Sequence, residues 1–169
     1  MRKLRKLFLA AVMFAGFAFT AQAQEVAHID MSQLVPEMPD YKAAQAEIQK
    51  KSTELDNSLK SMITEFQTKM DKYQSEAETA GDALNATRGK EMQEMEQRIK
   101  LFQENAQKEI ADKNVALMQP VSEKAMAAIK KVARAKGYKY VLDSSVGSGV
   151  MMADGPDLMA DVKKELKMN

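Results

Sequence analysis

Cysteine and tryptophan are absent from the 169 residues, and histidine occurs once, as His28. Without cysteine there is no disulfide framework, no thiol nucleophile and no acceptor for a lipid at an export-processing site. A single histidine cannot build the His/Cys clusters that hold zinc or a transition metal. His28 falls in the alternating run Val26-Ala27-His28-Ile29-Asp30, where it reads as a strand residue and not as a catalytic or metal-binding one. Aromatic residues make up only 6% against 29% charged, too little bulk for a thick globular core. The Gly147-Ser148-Gly149 cluster lacks the further glycine, the lysine and the following helix of a nucleotide loop, and reads as a turn. Carboxylates such as Glu94 and Glu96 fall on different faces of a helix and form no acid–base couple. The inventory predicts a protein that is not an enzyme and needs neither cofactor nor metal.

What the chain has instead is helical periodicity. From Tyr41 to Lys136, Gly81 and Gly89 are the only glycines in a charged stretch whose apolar residues recur at threes and fours. Ile48, Leu55, Leu59 and Phe66 mark the first half, and Ile99, Phe102, Ile110 and Leu117 the second. Such spacing puts a narrow apolar seam on a polar rod, which needs a second helix to cover it. The two glycines bracket Asp82, Asn85 and Thr87, so the bend of a helical hairpin is placed between Thr79 and Lys90. Arms of about 40 residues are rods of roughly 60 Å. No third or fourth helix of similar length follows, so the hairpin protrudes and is not part of a bundle. Met62, Met70, Met92, Met95, Met118 and Met126 lie in the arms, with Met62, Met70 and Met95 at seam positions.

The beginning of the chain reads as an export signal. Arg2, Lys3, Arg5 and Lys6 precede an apolar run from Leu7 to Phe19, and Ala21-Gln22-Ala23 fits the small-x-small cleavage rule. The run is shorter than the ~20 residues of a membrane span. Cleavage after Ala23 removes four basic side chains from a chain of net charge +1 and leaves about −3. A mildly acidic exported chain gives no support to nucleic-acid binding.

Residues 24–40 and 137–169 flank the hairpin and are expected to form one small body. The 26–30 run predicts a first strand, and Pro36 and Pro39 are expected to stop any helix from running through and to set up the entry to the first arm, with Asp40 as its N-cap. Gly137 after basic residues marks the end of the second arm. Tyr138 to Asp143 predicts a second strand, Ser144 to Gly149 a turn, and Val150-Met151-Met152 a third short strand. Asp157 is expected to cap a terminal amphipathic helix with Leu158, Met159, Val162 and Leu166 on its apolar face. Three short strands with open edges are marginal alone and call for association, with Val26, Ile29, Tyr138, Tyr140, Val141 and Leu142 in the shared body. The fold class is α+β, mostly α: a long antiparallel coiled-coil hairpin over 41–136 projecting from a small β-strand oligomerisation body.

An export signal, a short strand ending in Ile29-Asp30, a long hairpin, the run Gly137-Tyr138-Lys139-Tyr140-Val141-Leu142-Asp143, a Ser/Gly turn and a terminal amphipathic helix come in an order that resembles the Skp/OmpH family of periplasmic chaperones. The resemblance covers essentially all of the chain after the signal, and its most specific part is the Gly137 to Asp143 run. It implies a homotrimer with a central β body and three helical arms around a cavity, holding unfolded outer-membrane proteins without ATP, and it admits transient contact with a membrane surface. The arms depart from the strongly basic arms of that family: Glu65 to Glu109 carries seven Lys/Arg against ten Asp/Glu. Basic residues gather instead near the root, at Lys124, Lys130, Lys131, Arg134 and Lys136. A structural or adaptor rod of the cell envelope is the other function class that a protruding hairpin allows.

Overall fold

The computed structural model describes residues 26–168, so the predicted leader over residues 1–23 lies outside the described residues. In chain order the elements are β1 (Val26–Ile29), α1 (Met31–Glu37), α2 (Pro39–Ala80), α3 (Asp82–Ala135), β2 (Tyr140–Asp143) and α4 (Met159–Glu165). Helices α2 and α3, of 42 and 54 residues, are the two arms of an antiparallel hairpin, rods of about 63 and 81 Å. Ion pairs Glu47–Lys113 at 3.2 Å, Lys51–Glu109 at 2.8 Å and Lys69–Glu91 at 2.5 Å step along the two rods from root toward tip. Exposed pairs of this kind add little stability; they record the register in which the seams meet.

The bend is tighter than the predicted 79–90. It is the single residue Gly81, at φ 75 and ψ 162, a conformation open essentially to glycine alone, while Gly89 sits inside α3. Asn85 closes the tip: its side-chain amide donates to the Ala77 carbonyl at 2.8 Å, and its backbone N–H to Gly81 at 3.1 Å.

At the other end, β1 is the middle of the small sheet. On one side it pairs in parallel with β2, Val26 opposite Tyr140 and Ile29 opposite Asp143. A parallel pair needs a long crossover, and the whole hairpin serves as that connection. On its other side β1 meets Pro156–Leu158, where the His28 N–H donates to Pro156 and the Leu158 N–H to His28, both at 3.0 Å. Two expectations are corrected here. Residues 150–152 form no strand, because the place beside β1 is filled by 156–158 and three alternating residues have no other partner in the chain. Strand β2 begins at Tyr140, because the end of α3 uses the preceding residues: Gly137, at φ 80, and Tyr138 donate to Arg134 and Ala133 at 3.1 and 2.9 Å, closing the last turn. No helix runs through into the first arm; a short one, α1, forms and ends at Glu37, before Pro39. The Asp30 carboxylate caps it, accepting from the backbone N–H groups of Ser32 and Gln33 at 2.9 and 3.2 Å, and Pro36 falls only in its last turn.

Consequently α2 starts at Pro39 with Met38 as cap residue, and Asp40 lies within the first turn, where it pairs with Lys124 at 2.6 Å instead of capping. At α4 the cap residue is Leu158, and the Asp157 carboxylate accepts from the Met159 N–H at 2.8 Å. The core of the body joins Ala27 and Ile29 of β1, Leu34 of α1, Met38, Ala44 of α2, Val121, Ala125, Ala128, Ile129, Val132 and Ala133 of α3, and Leu158 and Val162. No aromatic side chain is fully buried in it, so small residues let the elements approach closely. All six α3 residues lie beyond Pro120, which shares a crevice with Ala43, Ala44, Ala116 and Leu117 at the root of the hairpin.

Candidate functional site

Along the arms, Leu55 is buried and Ile48, Leu59, Phe66, Ile99, Phe102, Ile110 and Leu117 are half-buried, as far as one partner helix can cover a seam. Met95 is buried and Met62, Met92 and Met118 half-buried, whereas Met70, expected in the seam, is exposed, as is Met126. Leu101, Val115 and Met126 of α3 are exposed apolar residues at separations of 14 and 11, close to whole turns, so they share one face.

Near the tip the seam turns polar. Glu91 accepts from Lys69 at 2.5 Å and from the Tyr73 hydroxyl at 2.7 Å, and Arg88, paired with Glu76, lies 4.6 Å over the Tyr73 ring. The Lys69 ammonium first and the Tyr73 hydroxyl second hold the Glu91 carboxyl below the usual range, and Glu91 in turn raises Lys69 and Tyr73.

On the body, β2 has no strand against its outer edge among the described residues. Beside it lies a groove of about 690 Å³ between β2 and the root of α3. Of the predicted body residues, Ile29, Tyr138, Tyr140, Val141 and Leu142 line it and Val26 does not. Ile29 is buried in the chain's own core, Tyr138 and Val141 are half-buried, and Val26, Tyr140 and Leu142 are exposed. Met126, Ile129, Lys130 and Arg134 of α3 also line the groove; the sequence reading did not assign them to the body, although their three-and-four spacing marks a second α3 face distinct from the seam.

Asp143 closes one end of the groove. Burial works against its charged form, yet the N–H groups of Ser145 at 3.0 Å and Met31 at 3.2 Å outweigh it and keep the carboxyl below its ordinary value. The loop after it, residues 144–157, exposes Val146, Met151 and Met152 at 104%, 98% and 76%. His28 ties this loop to β1: Nε2–H donates to the Gly155 carbonyl at 3.0 Å, and Nδ1 lies 3.3 Å from the Ser144 hydroxyl. The root cations predicted to cluster are partly spent on ion pairs, Lys124 with Asp40, Lys131 with Glu165 and Lys136 with Asp161.

Among the described residues no group of three or more His, Cys, Asp or Glu could hold a metal ion, and no helix is long and apolar enough to cross a membrane.

Residues 25–166 match the profile of a family described as outer membrane protein (OmpH-like). The chaperone protein Skp of Photorhabdus luminescens is 24% identical, over 97% of this chain and all of that one. The chaperone protein Skp of Yersinia enterocolitica is 26% identical, with the same coverage. A crystal structure of an OmpH-like outer membrane chaperone from Caulobacter crescentus superposes with a TM-score of 0.75 at 17% identity, covering 84% of this chain and 83% of that one.

Proposed function

The chain belongs to the OmpH-like family of outer membrane proteins, a family of non-enzymatic chaperones, and from that premise we propose that it is an ATP-independent holdase of the periplasm. Its clients are unfolded outer-membrane or other envelope proteins, held in the cavity between the helical arms of a homotrimer so that they do not aggregate. Residues 1–23 are a leader removed at export, residues 24–40 and 137–169 are the associating body, and residues 41–136 are the arm.

The observation that carries this reading is the pairing of a protruding hairpin with a body whose outer strand edge is open. An open two-stranded sheet beside an apolar groove gains by meeting another copy, and copies joined at the body set several arms around one space. A client β-barrel chain before insertion exposes apolar stripes and unpaired backbone. Many weak contacts along several arms hold such a chain by effective concentration, and each contact breaks without an energy source. Exposed Met70, Leu101, Val115 and Met126 offer soft, unspecific contacts of this kind. The acidic balance of Glu65 to Glu109 argues against capture of anionic lipid as the main task.

Dilution of a urea-denatured outer-membrane protein into buffer with the mature chain tests the reading by light scattering. Suppressed aggregation at near-stoichiometric chaperone is expected. Aggregation that proceeds as in buffer alone removes the holdase and leaves the structural rod of the envelope.

A further inference from the structure

Asp30, Asp143 and Asp157 stand outside the helices and share one arrangement: the carboxylate accepts from backbone N–H groups, and the N–H of the following residue is itself taken. The Asp30 carboxylate accepts from Ser32 and Gln33, and the next N–H, that of Met31, donates to Asp143 at 3.2 Å. Asp143 accepts from Met31 and Ser145, and the Ser144 N–H donates to the Ile29 carbonyl at 2.9 Å. Asp157 accepts from Met159, and the Leu158 N–H donates to the His28 carbonyl at 3.0 Å. Asp154 departs on both counts. Among the described residues neither its carboxylate nor the Gly155 N–H has a hydrogen-bond partner, both residues are exposed, and they belong to no helix or strand. The residue that follows is glycine for a reason of packing, since a Cβ at Gly155 would meet the Val26 carbonyl of β1 at 3.0 Å. Glycine is also the follower that least hinders its own nitrogen from reaching the carboxyl before it, and an N–H with no hydrogen bond gives up nothing in doing so.

We propose that Asp154–Gly155 is a site of spontaneous covalent modification, at which the folded protein converts aspartate to isoaspartate with age. The Gly155 nitrogen attacks Cγ of the protonated Asp154 carboxyl; the N–Cγ bond forms, the amide proton and the carboxyl hydroxyl leave as water, and a five-membered succinimide results. Water then opens the ring. Attack at Cγ restores aspartate, whereas attack at the Asp154 main-chain carbonyl carbon breaks its bond to the Gly155 nitrogen and leaves the chain running through Cγ. The water lost is regained, so mass and oxidation state are unchanged. The backbone is then one methylene longer directly before the segment that flanks β1. His28 meets that segment twice, through Nε2–H to the Gly155 carbonyl and through its backbone N–H to Pro156, both at 3.0 Å, and Leu158 beyond it is buried in the core. The ring contact to Gly155 is nearest the insertion and is the one lost, so an aged body holds its outer segment more loosely.

The assembled mature chain, held warm at neutral pH beside a synthetic peptide of residues 150–159, gives the test by proteolytic digestion and fragment mass spectrometry that separates the two linkages. Isoaspartate is expected at 154 as fast in the folded chain as in the peptide, and at 143 and 157 about tenfold or more slower than in peptides of their own sequence, because a hydrogen bond must open before the nitrogen is free. Asp154→Glu is expected to fold and assemble as the parent does and to show none, since the longer side chain would have to close a larger ring. A parent chain left unmodified at 154 while the peptide converts overturns the proposal, and so does equal conversion at 154 and 143. The lone histidine supplies a second reading. A second set of His28 ring proton resonances is expected to grow in step with isoaspartate in the parent and to be absent from Asp154→Glu. Conversion with an unaltered His28 ring would overturn the stated consequence for β1.

Discussion

Asp30 stands where β1 passes into α1, and its carboxylate accepts from four donors, the backbone and side-chain groups of Ser32 and Gln33, at 2.6 to 3.2 Å. The Ser32 hydroxyl, more than the other donors, holds the carboxyl below its ordinary value. A depressed carboxylate stabilises the fold above the usual carboxylate range and loses that contribution as pH falls through its folded value. Asp30→Ala is therefore expected to lower the urea midpoint at neutral pH, Asp30→Asn to keep most of it because an amide oxygen also caps, and the gap between Asp30→Ala and the parent to close in acid. A gap that persists in acid after the carboxyl has been protonated would mean that the side chain acts through packing. The signal for this cap was present in the sequence as Asp30 followed three residues later by Gln33, the spacing of a capping box. It was masked by Pro36 and Pro39, whose helix-breaking weight is real but falls after the helix has already closed its turns.

At the scale of elements the hairpin was legible, because threes and fours sustained over some ninety residues leave no competing period. The exact turn was not: two glycines bracketed the candidate span, and only backbone angles separate Gly81, at φ 75, from Gly89, which is helical. Gly81→Ala is expected to cost about 1–3 kcal/mol by urea unfolding, whereas Gly89→Ala should be neutral or stabilising, since it sits within α3 with open space around it. The polar replacement of the seam near the tip makes a second expectation. Glu91 is depressed by Lys69 and Lys69 raised by Glu91, so their shared contact contributes at neutral pH, is lost in acid as pH falls through the lowered value of Glu91, and is lost in alkali as pH rises through the raised value of Lys69. Hydrogen exchange, corrected for the intrinsic rate, should then quicken in residues 69–91 on acidification while residues 48–59 and 99–110 stay protected. Equal protection along the whole arm would show that the tip network carries no weight. The third strand expected over 150–152 failed for a related reason: alternation marks a willingness to pair, and a pairing partner is a tertiary fact that one short run does not encode.

For the whole molecule, parallel pairing of β1 with β2 makes the body the closure of a chain that has travelled the length of both arms, and its stability depends on contacts far apart in sequence. Val141, opposite Ala27 and packed against the core, tests that closure. Val141→Asp is expected to cost roughly 3 kcal/mol and to reduce both assembly and thermal stability, followed by sedimentation velocity and circular dichroism. An oligomer that survives this change would place the association elsewhere. The strands themselves could be read from residue types; which edge is left open could not, because it depends on Pro156–Leu158 occupying the other one.

Pro39 opens α2, and Pro120 shares the crevice of Ala43 and Ala44, so both prolines stand at the height where the rods leave the body. Lacking an N–H, Pro120 makes no bond to the Ala116 carbonyl, and bending α3 there sacrifices nothing that the helix possesses. A rod of about 63 Å turns each degree of tilt at this collar into about 1 Å at its far end. The position of the tip is thus a question of leverage: a swivel of ten degrees at the collar carries it by about 10 Å without any change at the Gly81 corner.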